Sequence, residues 1–98
     1  MCDHNNEYTN FSLYTGTLIS GHVNAEHFHM LMSIFNIHNE KMILAMADFL
    51  IFGKTRRESC EVHGVSQSYF SIKLSQLQHM NKTIVSMLPY YSQIFEKI

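Results

Sequence analysis

From Phe28 onward the apolar residues of this chain recur at helical spacing. Phe28, Leu31, Met32 and Phe35 stand at i, i+3, i+4 and i+7, the pattern of one helical face. Asn24 stands where its carboxamide can accept from the first free backbone N–H groups, which makes it the N-cap. N-I-H-N at 36–39 breaks the pattern, and Asn39 or a neighbour caps a second helix. That helix is expected to turn Ile43, Met46, Ala47 and Leu50 inward, while Met42, Leu44, Phe49 and Ile51 widen its apolar surface nearly all round. A helix so apolar must be buried on several sides, as the centre of the domain or as part of a subunit interface. Gly53 ends it in the left-handed conformation that glycine adopts without strain.

The next segment, T-R-R-E at 55–58, has the form of a capping box. The helix it opens is short, because Gly64 follows within about two and a half turns. Ser66 caps the helix after it, whose apolar face is Phe70, Leu74 and Leu77. Asn81 is expected to interrupt or re-cap that helix. Ile84, Val85 and Leu88 then form a short helix stopped by Pro89, and Tyr91, Ile94, Phe95 and Ile98 repeat the helical spacing to the end. Residues 1–23 are weakly patterned and read as a weakly ordered arm that lays a few apolar side chains on the body. The expected fold is all-α, with five or six helices in a domain over 24–98.

The layout of helix, glycine turn and helix over about 55–77 is that of a helix-turn-helix. Each packing position has a physical requirement. Cys60 is the small residue that lets the first helix approach the second. Gly64 supplies a positive φ, Val65 plugs the corner, and Phe70 and Leu74 point back into the core. At His63 a larger aliphatic residue is commoner, so this position departs from the ideal pattern.

Charge gives the motif a partner. The net charge of -1 hides an asymmetry: Lys54 to Lys82 carries +3 and the remainder -4. A local basic region suits a polyanion, though it also suits a solvated surface. Lys54, Arg56 and Arg57 stand at the start of the first motif helix, where they can neutralise phosphates. Ser66, Gln67, Ser68, Tyr69, Ser71 and Lys73 form the outward start of the second, the part that meets base edges in this geometry. Gln pairs bidentately with adenine and Ser serves either base. No Arg stands there to grip guanine, which leans the reading toward A·T-rich DNA.

These residues carry a resemblance. R-R-E-S-C-E-V-H-G-V-S-Q-S-Y-F-S (56–71), I-H-N-E-K-M-I-L-A-M-A-D-F-L (37–50) and L-P-Y-Y (88–91) resemble the PapB-type regulators of fimbrial adhesin operons. The resemblance covers about residues 24–91 and leaves the arm out. It implies a small helical bacterial transcription regulator that binds A·T-rich sites upstream of pilus operons, several copies side by side. Carried residue by residue, it points to Arg56 and Cys60. It implies minor-groove binding for some members, so the groove that Gln67 and Ser68 face stays open.

The remaining chemistry is sparse. His22, His27 and His29 are the closest histidine cluster, but 27 and 29 point about 200° apart on a helix, so no metal site is expected. Cys60 near Arg57 and a helix start could be a reactive thiol, but its place in the motif favours packing. No phosphate-cradling glycine loop, nucleophile elbow or carboxylate pair is present, so neither an enzyme nor a cofactor is expected. No apolar run approaches bilayer length and the first residues do not read as a signal peptide. With no disulfide pattern, the expected compartment is a reducing cytoplasm, at the bacterial nucleoid if the resemblance holds. Met30, Ile34, Met42, Leu44, Phe49 and the Tyr91–Ile98 helix exceed what one small core needs. They point to a homodimer or higher oligomer, or to a helical adaptor that binds another protein and not DNA.

Overall fold

The computed structural model describes residues 16–97, with side chains described through residue 92. Among the described residues the secondary structure is four helices with no strand: α1 (Ala25–Ile34), α2 (Glu40–Leu50), α3 (Arg56–His63) and α4 (Gln67–Lys97). The caps explain the first three starts. Asn24 Oδ1 accepts from Glu26 N at 2.8 Å and His27 N at 3.2 Å. Asn39 Oδ1 accepts from Lys41 N at 3.0 Å and Met42 N at 3.3 Å. In the Thr55 box, Glu58 N donates to Thr55 Oγ1 at 3.1 Å and Thr55 N donates to Glu58 Oε1 at 3.4 Å. Each side chain satisfies N–H groups that the first helical turn leaves free.

α2 is the central helix, and its buried stripe is Met42, Ala45, Met46 and Leu50. Phe28 and Leu31 from α1, Cys60 from α3, and Phe70, Leu74 and Leu77 from α4 complete the core with Leu18, Val23 and Ile37. The expected α2 stripe is therefore corrected. Met42 and Ala45 lie at its heart, Ile43 and Ala47 are half-buried, and Leu44 is exposed. On a helix apolar all round, periodicity does not choose the face, so the neighbouring helices choose it.

Four helices replace the five or six expected, because neither Asn81 nor Pro89 ends α4. Asn81 is buried and its Nδ2 donates to Gly16 O at 2.7 Å. Its side chain is thus engaged with a distant backbone group and does not compete with its own helix. Pro89 leaves one carbonyl of the preceding turn without its helical donor. That turn is solvent-accessible, so water can serve the carbonyl, and α4 continues through it.

Residues 16–23, the near part of the expected arm, lie against the body; residues 1–15 fall outside the described residues. Gln78 grips Leu18 at both backbone groups: Leu18 N donates to Oε1 at 2.7 Å, and Nε2 donates to Leu18 O at 2.8 Å. Further along, Gly21 N donates to Phe49 O at 3.1 Å and Val23 N to Leu50 O at 3.1 Å. Ser20 Oγ also donates to Phe49 O at 2.8 Å. The segment thereby satisfies carbonyls that the end of α2 leaves open. It comes so close that a Cβ on Gly21 would stand 3.1 Å from Gly53 Cα.

Candidate nucleic-acid interface

α3 and α4 meet at a turn whose hydrogen bonds follow from Gly64. Its φ of 68° and ψ of 36° are left-handed. Val65 N donates to Cys60 O at 3.0 Å and Gly64 N to Glu61 O at 3.4 Å, the Schellman pattern that closes a helix. Ser66 then opens α4, its Oγ accepting from Tyr69 N at 3.1 Å. The four residues from His63 to Ser66 turn the chain and set α4 against α3.

Behind the turn, Cys60, Phe70 and Leu74 are buried and Val65 is half-buried against them. Phe49 meets Phe70 edge to face at 5.7 Å between ring centroids, a favoured aromatic geometry. Burial pushes the Cys60 thiol above its ordinary range, and the charge of Arg56 offsets this only in part. A thiol held protonated is a poor nucleophile, so Cys60 serves packing.

The expected contact residues divide into two groups. Arg56, Ser71, Lys73, Lys54 and Arg57 already have partners. Arg56 Nη1 donates to Ser71 Oγ at 2.9 Å, and its guanidinium lies 5.8 Å from the Phe49 ring centroid. Lys73 Nζ lies 5.6 Å from the Tyr69 ring centroid. Lys54 Nζ is 3.6 Å from Asp48 Oδ2. Arg57 Nε donates to Glu61 Oε1 at 3.1 Å, a solvent-exposed i,i+4 pair that contributes little to stability. Gln67 and Ser68 are exposed at the start of α4. Ser66 is committed to its cap. The Arg56–Ser71 bond brings the basic start of α3 to the outward start of α4.

Asp48 is the neighbour of the motif that sequence reasoning missed. Its Oδ2 lies 2.7 Å from His63 Nε2 and also faces Lys54, with His63 and Asp48 both largely buried. A carboxylate oxygen accepts, so the ring nitrogen donates. This contact ties the end of α3 to α2 and accounts for a histidine where an aliphatic residue is usual. Asp48 is the acid that interrupts the apolar run of α2, and that oddity was the available signal.

Comparison with known proteins decides the family. The family model described as PapB, adhesin biosynthesis transcription regulatory protein, matches residues 1–91. The chain belongs to the PapB family of adhesin biosynthesis transcription regulators. It is 40% identical over 76 residues to the AFA-III adhesin operon regulatory protein of Escherichia coli, covering 78% of this chain and 75% of that one. It is 37% identical over 75 residues to the pilus subunit operon regulatory protein PapB of Escherichia coli, covering 76% and 72%. The crystal structure of Escherichia coli FocB superposes with a TM-score of 0.72 at 34% identity, covering 88% of this chain and 98% of that one. As a PapB-family member the protein is a transcription regulator. Among the described residues no helix is long and apolar enough to cross a membrane.

Proposed function

We propose that this PapB-family protein regulates an adhesin or fimbrial operon by binding A·T-rich double-stranded DNA through residues 55–77. One observation carries the reading. Arg56 at the start of α3 is bonded to Ser71 of α4, so the cation at the head of α3 adjoins the helix that carries the exposed Gln67, Ser68 and Tyr69. Phosphate contacts from Lys54, Arg56 and Arg57 supply affinity, and the α4 edge supplies sequence preference. The names of the relatives, regulators of adhesin and pilus operons, support the choice of target. The working form is a homodimer or higher oligomer in the bacterial cytoplasm, at the nucleoid. Exposed Met87, Leu88, Tyr90 and Tyr91 on α4, with Met30 and Ile34 on α1, offer apolar surface for that assembly.

Competition between an A·T-rich and a G·C-rich duplex of equal length tests the proposal. Preference for the A·T-rich duplex is expected. Equal affinity would refute the sequence preference. No binding to either at low salt would favour the rival reading, in which the same apolar residues make a helical adaptor for another protein.

A further inference from the structure

Phe52 is one of the most exposed large apolar side chains described, with 69% of its surface accessible. A single exposed apolar residue is ordinary on a protein surface. Its setting is not. Phe52 sits in the tight link between α2 and α3, inside F-G-K-T-R-R, directly before Lys54, Arg56 and Arg57. The chain is still helical at Ile51, with φ of -89° and ψ of -50°. Phe52 follows in the turn that ends α2, three residues after Phe49. Phe49 is the ring against which Arg56 lies.

The link is rigid. Phe52 N donates to Ala47 O at 3.4 Å and Lys54 N to Asp48 O at 3.0 Å. Gly53 has a φ of 72° and is backed by Gly21, whose Cα lies 3.3 Å from where a Gly53 Cβ would stand. These contacts hold the backbone of the link in place. A bulky apolar group is thus exposed to solvent on a hydrogen-bonded link, and Lys54, Arg56 and Arg57 follow it in the chain.

We infer that Phe52 is a DNA contact, an apolar wedge that enters a base step beside the phosphates held by Lys54, Arg56 and Arg57. The inference rests on the DNA-binding reading above and adds a residue and a mode of contact to it. Apolar side chains inserted between base pairs unstack and kink the duplex, and neighbouring cations hold the backbone while they do so. TA steps unstack easily, so a wedge of this kind itself favours A·T-rich DNA without any base-edge hydrogen bond.

The test uses A·T-rich duplexes with 2-aminopurine placed at successive TA steps. Wild-type protein, Phe52→Ala and Phe52→Leu are compared for affinity, emission and thermal melting. Wild type is expected to raise the emission at one step as that base unstacks. Phe52→Ala is expected to lose about tenfold in affinity, within the range of one lost stacking contact, and to lose the emission rise. Its salt dependence and melting should stay at wild-type values, and Phe52→Leu should retain much of both signals. Phe52→Ala binding and unstacking DNA as wild type does would overturn the inference while leaving DNA binding intact. A Phe52→Ala protein that sediments as a smaller species and weakens in proportion would make Phe52 an assembly residue, which also overturns it. A wild-type protein that binds no duplex would overturn the DNA reading and the wedge together.

Discussion

Arg56 and Ser71 join the two helices of the motif across the turn, Nη1 to Oγ at 2.9 Å. The same guanidinium lies over the ring of Phe49 on α2, 5.8 Å from its centroid. Three helices therefore converge on one cation. In the proposed DNA-binding reading, a side chain held in this way at the head of α3 loses less freedom on binding.

Replacing Arg56 should weaken DNA binding across sequences. Arg56→Ala is expected to reduce the slope of log affinity against log salt by about 1, the signature of one lost phosphate contact. Arg56→Lys should keep most of the slope but lose the bond to Ser71. An unchanged slope for Arg56→Ala would remove Arg56 from the phosphate contacts.

Gly64 tests the turn without steric confusion, because a Cβ there would meet nothing within 4 Å. Gly64→Ala should cost only the left-handed strain, about 1–2 kcal/mol by denaturant unfolding. Gly64→Asn should cost less, and Gly64→Val more. Gly16→Ala should cost more than Gly64→Ala, since its Cβ would stand 2.9 Å from Lys82 Cα. Equal stability of Gly64→Val and wild type would show that the turn is not left-handed.

Ser59 is fully buried in α3 and its hydroxyl has no hydrogen-bond partner. Ser59→Ala removes a desolvated polar group while keeping the small volume. It is expected to stabilise the fold by about 1 kcal/mol. A loss of stability in thermal melting would show that the hydroxyl is served in solution.

Gln78 and Asn81 hold residues 16–18 through three hydrogen bonds of 2.7–2.8 Å. Gln78→Leu strands the N–H and C=O of Leu18 and should cost about 1–3 kcal/mol. Asn81→Leu should cost a similar amount by stranding Gly16 O. Amide exchange at Leu18 should accelerate in Gln78→Leu. Wild-type exchange there would mean that the segment is held by its apolar contacts alone.

The local signals were legible in the sequence. Asn24, Asn39, the Thr55–Glu58 box and Gly64 act within four residues of themselves, and each does in the structure what its chemistry implies. The all-helical class followed from the same periodicity. What was not legible depends on partners far along the chain. Asn81 looks like a helix breaker until Gly16 O, 65 residues away, takes its amide. Gln78 is an ordinary polar residue until Leu18 meets it from 60 residues away. Asp48 and His63, 15 residues apart, look misplaced singly and complementary only together. Phe52 belonged to no periodic face, so its exposure appears only when the link between α2 and α3 is built.

The most direct test of DNA binding is fluorescence anisotropy of a labelled A·T-rich duplex across a salt series. Lys54, Arg56 and Arg57 each displacing one counterion give an expected slope of about -3 per protomer in log affinity against log salt. Affinity that is absent at low salt, or flat as salt rises, would contradict the assignment of these cations to phosphates.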